Sequence, residues 1–193
     1  GNICISVNEE VVHGIPKDTV RLDAGDIVTV DVGVRLDGWC SDSAWTYPVG
    51  EVDAETNRLL DATRASLDAA IKAAVEGNHI GDIGAAVMAT VKGQGIGIVR
   101  DLVGHGIGRE VHEEPQIPNV GRAGHGPKLR AGMVLAIEPM LSLGSDQIRT
   151  LDDRWTVVTR DGSRSAHFEH TVAVTADGPR VLTGAASGVP HPV

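Results

Sequence analysis

Two cysteines, Cys4 and Cys40, are all this chain has, in neither a CxxC pair nor the density of a disulfide framework. A reducing cytoplasm is therefore the expected setting. Long apolar runs are missing as well, which argues against a membrane span and for a chain that folds in water. Positive charge is scarce: 17 Lys and Arg stand against 26 Asp and Glu, a net charge of −9. That balance disfavours binding to phosphate backbones. Neither a secretory signal nor a local metal signature of the HExxH kind is visible. The chain begins Gly1-Asn2-Ile3-Cys4, and its methionines are Met88, Met133 and Met140. With no initiator methionine, the true N-terminus is expected to lie upstream or to have been processed away. The 193 residues suffice for one well-buried core.

What is present is charge where burial is expected. Asp31 interrupts Val28-Thr29-Val30-Asp31-Val32-Gly33-Val34, Glu138 follows Val134-Leu135-Ala136-Ile137, and Glu169 leads into His170-Thr171-Val172-Ala173-Val174. An ionised carboxylate in such a run costs roughly several kcal/mol unless a cation or a hydrogen-bonded partner compensates it. Any one strand carboxylate is more often an edge or ion-paired residue. Taken with Asp42 and His105, however, the set offers four carboxylates and one imidazole. Such an oxygen-rich shell can bridge two divalent ions about 3.5 to 4 Å apart.

Ile27 to Val34 and Trp39 to Tyr47 read as a hairpin around Arg35-Leu36-Asp37-Gly38, with Asp31 and Asp42 facing each other across one ladder. Asp53 and Glu55 open a helix with apolar positions Leu59, Leu60, Ala62, Leu67, Ala70, Ile71 and Val75, closed by Gly77-Asn78. A second helix runs from Asp82, as N-cap, to Gly93. Ile96 to Val103 reads as a strand delivering Gly104-His105-Gly106-Ile107-Gly108, too glycine-rich for a regular element and suited to close approach near a ligand. Pro115 to Gly132 reads as a surface excursion. Strands are expected over Val134 to Met140, Gln147 to Leu151, Arg154 to Arg160 and His167 to Thr175. This order implies an α+β fold with helices on one face of a largely antiparallel sheet. One domain is expected over residues 1–182, with residues 183–193 a loose tail.

Val12-His13-Gly14-Ile15-Pro16, Asp31 and Asp42 separated by ten residues, Gly104-His105-Gly106-Ile107-Gly108, His112-Glu113-Glu114-Pro115, Ile137-Glu138-Pro139-Met140 and Phe168-Glu169-His170-Thr171 occur in this order. Together they resemble the type I methionine aminopeptidases of the pita-bread fold, whose curved, largely antiparallel sheet carries helices on its outer face. The interval from His105 to Glu138 leaves no room for the helical insertion of the type II enzymes. By the same resemblance the family's opening helix and a segment with aromatic pocket residues precede the first motif, so the chain is either a fragment of a longer reading frame or a genuine short form.

The resemblance implies that Asp31 chelates one metal, that His105 and Glu138 chelate the other, and that Asp42 and Glu169 bridge both. The cofactors would be two divalent ions, Mn, Fe, Co or Zn, with a bridging hydroxide attacking the first peptide bond. It also implies that His112 stabilises the oxyanion, that His13 hydrogen-bonds the scissile amide nitrogen, and that Glu138 shuttles the proton. Cys4, Trp155 and Val111 align with pocket positions. The expected substrates are N-terminal Met peptides and nascent chains with a small second residue. The ribosome is the expected neighbour, the monomer the expected state, and neither a membrane nor direct nucleic-acid binding is expected. Cys40 and His167 stand two residues before Asp42 and Glu169, where the family pattern has histidine and glutamine. Strand alternation could turn both toward the metals, where Cys40 would make the site softer or oxidisable, the alternative being simple packing. The competing readings are a proline-specific aminopeptidase or dipeptidase on the same fold, and a non-catalytic pita-bread binding module.

Overall fold

The structure, a computed structural model, describes residues 3–184. Two short strands come first, β1 (Cys4–Val7) and β2 (Glu10–Val12), followed by β3 (Ile27–Leu36) and β4 (Trp39–Pro48). Two helices follow, α1 (Ala54–Ala73) and α2 (Ile80–Val91). The remaining strands are β5 (Gly97–Ile98), β6 (Val103–Gly106), β7 (Glu113–Pro118), β8 (Val134–Ile137), β9 (Met140–Ser142), β10 (Ile148–Thr150), β11 (Val157–Thr159), β12 (Ser165–His167), β13 (His170–Thr175) and β14 (Gly178–Val181). All strand pairings among the described residues are antiparallel. The α+β expectation holds. No helix among the described residues is long and apolar enough to cross a membrane.

The β3–β4 hairpin pairs without a break from Ile27 with Pro48 to Leu36 with Trp39. Asp37 and Gly38 both have positive φ, 50° and 78°, as a two-residue type I′ turn requires. This register corrects one expectation: Asp31 faces Ala44, and Asp42 faces Gly33. The two aspartates share a face of the ladder but lie diagonally across it, within reach of each other's side chains.

Asp53 caps α1 by accepting the Thr56 backbone N–H at 2.7 Å. The helix stops at Ala73, short of Gly77, and Asn78 folds back to donate its Nδ2 to the Ala73 carbonyl at 2.9 Å. For α2 the expected N-cap was one turn late. His79 is the cap, and Asp82 is the third helical residue, accepting the His79 backbone N–H at 2.7 Å. That bond satisfies a donor which a start at Asp82 would leave open. Leu59, Leu67 and Ala70 of α1 and Ile83 and Val87 of α2 close over Ile137, Leu141 and Phe168 in the main core.

The second half departs from the expected long strands. Val134 to Met140 is broken at Glu138-Pro139, and the His167 to Thr175 run at Phe168-Glu169. The breaks lie opposite each other, since Ile137 pairs with His170 on one side and Met140 with His167 on the other. Proline has no N–H to continue a ladder, and the hydrogen bonding accordingly divides into a five-stranded sheet and three three-stranded ones. The glycine-rich segment is a strand after all: β6 pairs with both β7 and β8. A Cβ at Gly104 would collide with the Ala136 carbonyl, and one at Gly106 with the Glu114 carbonyl. The glycines there serve the approach of neighbouring strands, and Glu113 to Pro118 becomes sheet rather than surface loop.

At the C-terminal end the Thr183 hydroxyl accepts the Thr171 N–H at 3.0 Å and lies 3.0 Å from His170 Nδ1. The remainder of the expected tail, residues 185–193, lies outside the described residues.

Candidate metal centre

Four separate pieces of sheet bring the charged residues together. The hairpin supplies Asp31 and Asp42, β6 supplies His105, and the two opposed strand breaks supply Glu138 and Glu169. Each break frees a backbone position to turn its carboxylate inward while strands on both sides stay paired. Hydroxyls lock the junctions. Thr171 Oγ1 accepts the Asp42 N–H at 2.9 Å and donates to the Asp42 carbonyl at 2.7 Å. Thr46 Oγ1 serves the backbone of His167 in the same two ways, at 2.9 and 2.8 Å. Glu169 N–H donates to the Ala44 carbonyl at 2.8 Å, tying the second break to the hairpin.

Donor atoms of Asp42, His105 and Glu169 all lie within 4.8 Å of one another. Glu138 Oε1 stands 3.4 Å from His105 Nε2. Asp31 lies close enough to Asp42 for the neighbouring carboxylate to oppose its ionisation. His105 Nδ1 faces the Gly106 carbonyl at 2.9 Å, so it carries the ring proton and leaves the Nε2 lone pair free for a cation. Burial keeps this imidazole below its ordinary pKa and therefore neutral.

Burial and mutual repulsion oppose ionisation of the clustered carboxyls. Burial, reinforced by Asp42, pushes the Asp31 carboxyl up to about 7. Burial first, then Asp42 and Asp31, raises Glu138 well above the usual carboxylate range. Glu169 is raised by burial and then by Glu138, Asp42 and Asp31. Its Oε1 is buried without a hydrogen-bond partner. Oxygen donors crowded this closely, one of them orphaned, fit divalent cations, which would compensate charge that otherwise only protons can compensate.

The centre opens into a cleft of about 1120 Å³, walled also by Cys4, His13, Val111, His112, Trp155 and His167. The expected ligands Asp31, Asp42, His105, Glu138 and Glu169 line the same cleft. His13 adopts the left-handed conformation, φ 62°, and its ring stacks on Trp155 at 4.7 Å and 21°. Trp155 is 53% exposed, so it is a wall of the cleft rather than core packing. The His112 ring lies 4.4 Å from that of His105. Burial, followed by neighbouring His112, lowers the pKa of His13. Cys4 pairs with Asp31 across β1 and β3, and its thiol is pushed up by burial and then by Asp31 and Asp42.

Cys40 does not turn toward the metals: its Sγ lies 3.5 Å from the Arg109 carbonyl near the hairpin tip, outside the cleft wall. His167 does face inward, its Nε2 3.7 Å from Glu138 and 3.8 Å from Glu169. The threonine locks at 46 and 171 were not anticipated. Buried threonines in strands were visible, but their partners lie 121 and 129 residues away, beyond any local pattern.

Residues 1–176 match the model of metallopeptidase family M24. Methionine aminopeptidase 1 of Bacillus subtilis is 49% identical over 183 residues, which span 95% of this chain and 73% of that protein. Methionine aminopeptidase 1 of Mycobacterium tuberculosis is 51% identical over 188 residues, spanning 94% and 71%. The chain belongs to the methionine aminopeptidases of family M24. Its M24 pita-bread fold superposes on the methionine aminopeptidase of Thermotoga maritima with a TM-score of 0.93 at 50% identity, covering 95% of this chain and 74% of that one. A dipeptidase of Pyrococcus horikoshii matches at a TM-score of 0.76 and 26% identity, over 95% of this chain and 46% of that one. The resemblance noted in the motifs is thus met across nearly the whole chain.

Proposed function

We propose that this methionine aminopeptidase holds two divalent cations and uses them to release methionine from peptides and nascent chains that carry a small second residue. The observation that supports this best is the convergence of Asp31, Asp42, His105, Glu138 and Glu169 at the floor of one cleft. Asp31, Asp42, His105, Glu138 and Glu169 would hold the cations. Bound there, two cations polarise a carbonyl oxygen and lower the pKa of water to near neutrality. Mn, Fe, Co and Zn all suit an oxygen-rich site with one imidazole, and supply decides among them.

The chain's own groups divide the remaining work. His112, beside His105, donates toward the oxygen of the scissile carbonyl as charge builds on it. His13, fixed by its stack on Trp155, holds the scissile amide nitrogen. Glu138 carries a proton on a carboxylate oxygen from water to the leaving amine. Cys4, Val111 and Trp155 wall the methionine side chain.

The purified chain, loaded with each metal in turn, should cleave Met-Ala-Ser and leave an Xaa-Pro peptide intact. Cleavage of the Xaa-Pro peptide alone would replace this reading with a proline-specific one. Absence of stoichiometric divalent metal after dialysis would leave a binding module.

A further inference from the structure

We infer that His167 is a further protein ligand of this centre, giving its Nε2 to the cation that Glu138 and Glu169 share. The inference rests on the metal reading above and adds an imidazole that the five-residue set lacks. His167 is 2% exposed, and neither ring nitrogen has a hydrogen-bond partner. A neutral imidazole offers one donor and one acceptor, and burying both unmatched is unfavourable unless something outside the protein's own atoms takes one of them. The Glu169 Oε1 orphan lies in the same place.

Distances identify what is missing between them. Nε2 stands 3.7 Å from Glu138 Oε2 and 3.8 Å from Glu169 Oε2. These gaps are too long for hydrogen bonds. They match two ligands about 2.0 to 2.2 Å from one cation, which stand up to roughly 4 Å apart. On the other side of the same carboxylate, Glu138 Oε1 is 3.4 Å from His105 Nε2. Glu138 is thus flanked by an imidazole at each oxygen.

The backbone that carries the ring is also held in place. Its N–H and carbonyl are both bonded to Thr46 Oγ1, which lies 2.8 Å from Thr29 Oγ1, and β12 pairs His167 with Met140. Clamped at both backbone polar groups, the residue has its main chain fixed at the wall of the cleft. The second imidazole also has a chemical consequence. It shifts the donor set toward nitrogen, favouring Co and Zn over Mn relative to a site with His105 alone.

Cobalt(II) loading of the full chain tests this by proton NMR in water. Each ligating imidazole contributes one exchangeable N–H resonance displaced far outside the diamagnetic range. Two such resonances are expected, falling to one in His167→Gln and remaining two in His112→Asn. Cobalt and zinc should bind at least about tenfold more weakly to His167→Gln, with a smaller loss for manganese. A single displaced resonance in the cobalt-loaded wild type overturns the inference while leaving the metal centre intact, and that count stands even if the variant does not fold. Two resonances retained in His167→Gln overturn it as well. A chain that takes up no cobalt overturns this inference and the proposed function together.

Discussion

Thr171 shows how much of the centre depends on groups that never touch a ligand. Its hydroxyl closes a two-way hydrogen bond with the peptide of Asp42, fixing the strand that carries a central carboxylate. Thr171→Val keeps the shape and deletes both bonds. Leaving a partly buried N–H unpaired costs about 1 to 3 kcal/mol, so denaturant unfolding should show that loss. Aminopeptidase turnover should fall by more than the fraction unfolded explains, because Asp42 is released from its position; unchanged turnover would mean that the hairpin alone positions Asp42. Glu169→Gln probes the opposite case. It keeps the size of a carboxyl that burial and neighbouring acids already favour in the neutral form. Metal-free stability should therefore stay level or rise, while bound metal measured after dialysis drops. A large loss of metal-free stability would show that Glu169 is ionised and paired in the apo chain.

At the scale of elements, the helices and the site separate cleanly. Asp82 accepts the N–H groups of His79 and Gly124 at the start of α2, and α2 packs on α1 and β7 away from the metal ligands. Asp82→Ala should lower the melting temperature by removing that cap and leave kcat and KM for Met-Ala-Ser unaltered. A changed KM would show that the helical layer shapes the cleft. This cap also marks the limit of local reading. Asp82 was visible as a helix-start signal, yet whether it is the cap or the third residue depends on the N–H of His79 finding it. The hairpin was legible because β-branched runs and Asp37-Gly38 state it locally. The breaks at Glu138-Pro139 and Phe168-Glu169 were not, since an apolar run reads as one strand whether or not its neighbours change midway. Gly104 and Gly106 likewise announced close approach without saying that backbone carbonyls of Ala136 and Glu114 would be the neighbours.

For the whole molecule, the carboxylates that draw cations also work against the fold when cations are absent. Of the proposed metal ligands, Asp31, Glu138 and Glu169 stood out as charge in apolar runs, and the ordered motifs supplied the rest. The mutual repulsion that makes them a site needs the three-dimensional arrangement. In the metal-free chain Asp31 is pushed up to about 7, and Glu138 and Glu169 are raised too. Unfolded, all three titrate near the ordinary carboxylate values of about 4. Between about pH 4 and 7 the folded chain then binds more protons than the unfolded one, so its stability must fall as pH rises through that window. Cations reverse the slope, because carboxylates that ligate must lose their protons and metal binding strengthens as pH rises. Cation in large excess adds stability by mass action, about 4 kcal/mol at a thousandfold over Kd. Thermal unfolding of chelator-treated chain should show a melting temperature that declines from about pH 5 to about pH 8, and the metal-loaded chain should show none of that decline. If the chelated chain instead grows more stable across the same range, these carboxylates are compensated by the protein itself, and the centre is an ion-pair network rather than a metal site.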